Sequence, residues 1–245
     1  MLLIQMNGKE FIAKILGGEK DLKGIILPAY YDLTDHEEYG TMQQYLKEHV
    51  DKRIDLSDSI MIGIVATGIY LPRVIARGTY LRGANLGKAY LGGAYLGRAD
   101  LEEANLGGAY LGRADLEEAN LGGAYLGKAN LRGANLGKAY LGRADLEEAD
   151  LEEAYLGKAN LRGANLRGAY LGKAYLGGAY LEEAYLGKAN LRGANLREAN
   201  LIGVKNFETT INFEDATFNC AVMDPETKEI IIAARRATEE TYVVE

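Results

Sequence analysis

Leucine recurs at every fifth residue from Leu81 to Leu201, 25 times without a gap. Two positions before each stands alanine, except at the start, where Thr79 takes the place, so the unit is Ala-(Tyr/Asn/Asp)-Leu-x-x. An α-helix turns about 100° per residue and would scatter such leucines around its whole cylinder. A flat strand alternates with period two, and five is odd. A chain that turns a corner every five residues satisfies the pattern. Ala and Leu, two apart, then point inward together, and the residue between them points out.

The stretch RGANLGKAYLGGAYLGRADLEEANL (residues 82–106) resembles the pentapeptide-repeat proteins, whose motif centres on an inward Leu or Phe with a small inward residue two positions earlier. The resemblance covers at least residues 79–203. It implies an all-β solenoid, a right-handed quadrilateral β-helix with four pentapeptides per coil. Charges give a separate check on the coil length. Neighbouring coils lie about 4.8 Å apart, so residues one coil apart should not carry like charges. At separation 20 within 79–203 there are eight opposite pairs: Arg82–Glu102, Arg98–Glu118, Glu118–Lys138, Lys128–Glu148, Glu147–Arg167, Arg132–Glu152, Glu153–Lys173 and Arg162–Glu182. Lys138–Lys158 is the one like pair, whereas at separation 15 like pairs outnumber opposite ones. The 25 units make about six coils, a rod of roughly 30 Å. Because each coil stabilises the next, identical units can all be correct at once; the fifteen residues Leu96–Tyr110 recur letter for letter as Leu111–Tyr125.

A stack of open coils needs caps. Residues 1–63 read as an N-terminal cap with two short helices and a diverged repeat, 64–203 as the β-helix, and 204–245 as diverged last repeats with a C-terminal cap. Asn7 and Glu10 form a capping-box pattern before Phe11, Ile12, Ile15 and Leu16, and Gly17–Gly18 end that helix. Asp21–Leu27 is a diverged unit. A second helix is expected from about Asp35 to Val50, opened by Thr34 and Glu37, with Tyr39, Met42, Leu46 and Val50 inward. At the other end Phe213, Phe218 and Met223 sit two residues out of register, which a bulge between Ile202 and Ile211 would absorb. MDPETKEIII reads as a turn and closing strand, and AARRATEE as a short helix. The array is more uniform than natural family members are; recent tandem duplication and an engineered consensus array both account for that.

No apolar run is long enough to span a membrane as a helix. No signal peptide is read at the N-terminus, and Cys220 as the one cysteine fits a reducing, cytoplasmic setting. The net charge of −7 is unevenly placed: residues 79–203 are neutral, and 204–245 carry −5. Nothing in the sequence spells a metal, cofactor or catalytic site. His36 and His49 read as solvated, Cys220 as a packed thiol, and the glycines at the two positions after Leu as corner residues needing unusual backbone angles. Asp145, Glu147, Glu148, Asp150, Glu152 and Glu153 crowd two adjacent faces, four of them with basic partners one coil away.

The outward middle position holds 11 Tyr, 10 Asn and 4 Asp. Tyr170, Tyr175, Tyr180 and Tyr185 are consecutive there and ring one coil, a candidate contact belt because tyrosine is enriched at interfaces. The leading reading is a non-enzymatic structural or protein-interaction scaffold with an unknown protein partner. The alternative, which the family resemblance implies, is a DNA mimic binding a type II topoisomerase such as gyrase. That reading needs rows of acids along the axis, yet Asp100, Asp115, Asp145 and Asp150 each have Tyr or Asn above and below. Binding of nucleic acid is not expected, for want of a basic stripe. The resemblance also implies a homodimer through the C-terminal end, here AARRATEETYVVE.

Overall fold

The structure, a computed structural model, describes residues 3–242, with side chains to residue 234. From Asp55 upward, each outward residue forms a parallel bridge with its counterpart four units further on: Asp55 with Ile75, Ile60 with Tyr80, Val65 with Asn85, Tyr70 with Tyr90, and so on to Tyr185 with Lys205. Four units complete one winding, so the tube has four walls. We number the walls one to four by their outward residues Asp55, Ile60, Val65 and Tyr70.

One unit shows why five residues suffice. Leu86 N–H donates to the Asn105 carbonyl at 2.8 Å and Lys88 N–H to that of Gly107 at 2.9 Å, both in the coil above. Ala89 N–H closes the corner on the Leu86 carbonyl at 3.0 Å, and Tyr90 N–H reaches down to Ile69 at 2.8 Å. The fifth amide, Gly87 N–H, donates to the Asn85 side chain at 3.2 Å. Every donor is met, as buried or edge-on backbone requires. Inside, the leucines from Leu101 to Leu201 and their alanines are at most 1% exposed. Each such leucine contributes roughly 1.5–3 kcal/mol by leaving water.

The corners differ from the sequence expectation in one respect. Only the second residue after Leu is left-handed, and at 15 of the 25 corners in the array it is Lys, Arg or Glu, such as Lys88 (φ 57°) and Glu198 (φ 61°). Glycine at the first position serves space: a Cβ on Gly92 would lie 2.5 Å from the Tyr110 ring of the next coil.

At the N-terminus, α1 (Gly8–Leu16) starts on the expected capping box, with Asn7 Oδ1 accepting from Glu10 N–H and Glu10 accepting from Asn7 N–H. It buries Phe11, Ile12 and Ile15. Strand β1 (Ile4–Gln5) pairs in parallel with β2 (Ile25–Ile26) beneath wall two. The first coil uses Asp21, Ile26 and Asp32, bridged to Asp55, Ile60 and Val65 across intervals well over four units long. The surplus chain forms α2 (Tyr39–Glu48), which stands where the fourth wall of that coil would be. Its Gln43 Oε1 accepts from Tyr70 N–H at 2.8 Å, and its Tyr39 hydroxyl donates to the Thr67 carbonyl at 3.1 Å. Helix α2 is shorter than expected. Thr34 does not cap it; its hydroxyl donates to Asp32 Oδ1 at 2.5 Å. Met42 and Leu46 are buried, but Val50 lies past the helix and is exposed.

At the C-terminus the two-residue slip occurs in two single steps. Asn190 pairs with Ile211, one residue late, and Asn195 with Thr217, two late. The first step is a left-handed Asn206 followed by a 3-10 turn at Phe207–Thr209 that puts Phe207, not residue 206, into the core. The second falls after Ile211, beyond the expected segment, and brings Phe213 inward. The expected closing strand is also corrected. Residues 225–242 form one helix, α3, opened by Asp224 Oδ1 accepting from Thr227 N–H at 2.9 Å with Pro225 in the first turn. Thr227 and Ile231 face the core, and α3 packs on the Phe207 turn. Tertiary burial of one face overrides the β preference of Ile230–Ile232.

Candidate interaction surface

Two kinds of outward residue build the walls, and they work differently. All fourteen Asn and Asp of the array accept a hydrogen bond from the N–H two residues on, from Asn85 to Gly87 through Asn200 to Ile202. This Asx turn pins the corner. Asn120, Asn135 and Asn165 also donate to Asp100, Asp115 and Asp145 one coil below, at 3.1, 3.2 and 3.0 Å. Tyrosine has no such acceptor, and its ring lies against the sheet over glycines. A Cβ on Gly122 would meet the Tyr140 ring at 2.7 Å, and one on Gly142 the Tyr140 hydroxyl at 2.7 Å. Nine of the eleven tyrosines in the array are accordingly followed by Leu-Gly. That signal is in the sequence, but it becomes readable only once the stacking of every fourth unit is known.

The belt of Tyr170, Tyr175, Tyr180 and Tyr185 falls on walls four, one, two and three of one coil, with exposures of 55, 41, 51 and 39%. The four rings face different directions, so a flat partner meets one or two of them. Tyr175 stacks on Tyr155 at 5.0 Å, and Lys205 sits 4.7 Å above the Tyr185 ring.

Six of the eight expected inter-coil ion pairs form, including Arg132–Glu152 at 2.7 Å and Glu147–Arg167 at 2.9 Å. Arg162 turns instead to Glu183, and Arg132 also reaches Glu153. Each of these glutamates thus meets a cation on an adjoining coil. Glu118 lies between Arg98 and Lys138, whose hydrogen bonds and charges hold its carboxyl below the usual range. The histidines are half-buried and not solvated as expected: His36 Nδ1 accepts from Glu38 N–H, and His49 stacks on Tyr45 at 4.1 Å. Cys220 is exposed at a left-handed corner, not packed. Among the described residues no group of His, Cys, Asp and Glu could hold a metal.

The model of the pentapeptide repeats matches overlapping segments that together run from residue 79 to 205, about half the chain. The chain belongs to the pentapeptide-repeat family. Solved structures similar to this member include HetL, a pentapeptide repeat protein involved in heterocyst differentiation regulation from the cyanobacterium Nostoc sp. strain PCC 7120. The two are 30% identical over 89% of this chain and 92% of HetL, with a TM-score of 0.47. Rfr23 from the cyanobacterium Cyanothece 51142 is 38% identical over 41% of this chain and 60% of its own, with a TM-score of 0.29. QnrB1, a plasmid-mediated fluoroquinolone resistance protein, is 18% identical over 74% and 87%, with a TM-score of 0.39. Comparison with curated proteins gave no match. Among the described residues no helix is long and apolar enough to cross a membrane.

Proposed function

We propose that this pentapeptide-repeat protein is a non-enzymatic interaction scaffold, wound right-handed like its family, that presents tyrosine-bearing walls to a protein partner in the cytoplasm. The observation that carries this reading is the independence of the outward positions. Tyr, Asn and Asp interchange along every wall while the Leu–Ala interior and the backbone ladder stay the same. A rod of this kind fixes the spacing of surface groups at one coil and lets their identity vary. The Tyr170–Tyr185 belt is the proposed contact, and changing Tyr170 and Tyr180 to Asn should abolish capture of the partner without lowering the melting temperature by more than a few degrees.

The topoisomerase reading is the weaker one, because most of the Glu corners are paired with Arg or Lys on adjoining coils. A gyrase supercoiling assay separates the two: inhibition or protection at micromolar protein would displace the scaffold reading. Homodimerisation through AARRATEETYVVE falls largely outside the described side chains. Sedimentation of a chain cut before Ile230 tests it, since an unchanged mass per particle relative to the chain rules that contact out.

A further inference from the structure

The corner between walls four and one carries a groove of about 480 Å³ in its N-terminal half, lined by Arg53, Arg73, Arg113, Tyr70, Tyr90 and Tyr110 among others. Its charge is unusual for this surface. Arg53, Arg73 and Arg113 are all exposed, and among the described residues none is in an ion pair. The carboxylate that reaches the groove, Asp115, is already held by Arg77 at 2.8 Å and by Asn135 at 3.2 Å. The intervening corner is Gly92–Gly93, so the floor between Arg73 and Arg113 carries no side chain. Three tyrosines one coil apart form the adjoining wall, with the Tyr70 and Tyr90 centroids 5.6 Å apart and the Tyr90 and Tyr110 rings about half exposed. Asn or Asp at these positions would engage the amides of Gly92 and Gly112, whereas beside tyrosine both lack a protein acceptor among the described residues.

Unpaired guanidiniums suit phosphate oxygens, and flat exposed rings suit a stacked base. The groove volume lies in the range of single small-ligand sites, about 300–1,000 Å³. A long polyanion fits poorly, because the same corner continues upward to Arg132, which is occupied by Glu152, and then to Glu152–Glu153 themselves. We propose that this groove binds a free nucleoside polyphosphate, with its phosphates among Arg53, Arg73 and Arg113 and its base on the Tyr90 and Tyr110 rings. Arg53, Arg73 and Arg113 stand 20 and 40 residues apart, so the winding stacks them on one corner, one and two coils from each other. This site is separate from the scaffold reading and from the Tyr170–Tyr185 belt.

Calorimetric titration of the full chain with ATP at low salt tests it. Arg73→Glu with Arg113→Glu should weaken binding at least about tenfold, and Tyr90→Asn with Tyr110→Asn by about fivefold. The Asn variants use a residue the array already carries at the same position before Gly, so the fold is kept, and a circular dichroism melt verifies that. Arg143→Glu, on another corner, should leave the affinity unchanged. No heat with ATP at millimolar concentration overturns the proposal, as does an equal loss in Arg143→Glu. Tripolyphosphate binding as tightly as ATP would remove the stacking role and overturn it in this form. Tighter binding of a six-residue oligothymidylate than of ATP would assign the groove to single strands instead, and so overturn it.

Discussion

The middle coils and the end coils obey the same hydrogen-bonding rule by different means. In the middle the wall amides find their acceptors in the coil above or below, and every coil has a copy of itself on both sides. At the base there is no coil below wall four, and a helix side chain, Gln43, accepts from the Tyr70 amide where a strand carbonyl would stand. At the top, two single-residue insertions turn Phe207 and Phe213 inward so that bulkier rings fill the last coil beneath α3. A periodic sequence can repeat one solution only while its neighbours are also periodic. Where the neighbour is missing, irregular sequence supplies the groups it would have provided.

The sharpest way to break this contrast is to cut cavities in both regions. Leu141→Ala, in a fully buried central coil, should cost about 2–5 kcal/mol, because identical neighbours above and below cannot collapse into the space. Leu71→Ala, which is 8% exposed near the base, should cost clearly less in the same urea titration. Equal losses would mean that the ends are as tightly determined as the middle. Next in size, Gln43→Ala should cost about 1–3 kcal/mol by stranding the Tyr70 amide. Hydrogen exchange should then speed up at Tyr70 while amides of the central coils keep their protection.

Gly137→Ala and Gly87→Ala test the division of labour between Tyr and Asn units. A Cβ at residue 137 would lie 2.8 Å from the Tyr155 ring, so overpacking of about 1–3 kcal/mol is expected. At residue 87 the nearest atom is 3.4 Å away, and the change should be close to neutral. Lys128→Gly relieves a left-handed corner at φ 58° and should stabilise by no more than about 1 kcal/mol, since glycine also frees the unfolded chain. Smallest at neutral pH is the effect of Tyr39. Burial, aided by the nearby Asp32 charge, pushes its hydroxyl up to about 12. The unfolded chain then releases this proton first, so the stability the group contributes is intact below pH 10 and is lost between about pH 10 and 12. Tyr39→Phe should flatten that part of the pH–stability curve.

Much of the central architecture was legible because its signals are local and repeated. Leu and Ala at fixed spacing name the interior, and opposite charges four units apart name the coil. The capping box at Asn7 is a short local signal and needed nothing more. Residues 225–232 misled because three consecutive isoleucines favour a strand, whereas the helix is decided by a cap at Asp224 and a docking surface for Ile231. Thr34 misled in the same way, since Asp32 competes for its hydroxyl. The candidate belt could be named from the sequence as four consecutive tyrosines, but not the directions in which they face.

What the sequence determined alone is the inside of the tube: a five-residue period leaves Leu and Ala no other shared direction, and burial of apolar surface is insensitive to which coil lies next. What the tertiary structure decided is everything that depends on a particular neighbour. Helix α2 in place of a wall, Gln43 on the Tyr70 amide, and Phe207 and Phe213 in the last coil join residues whose separations do not follow the period. Such contacts are fixed by where the chain interrupts its repetition, at α2 and after Lys205, and short-range pattern carries no record of that.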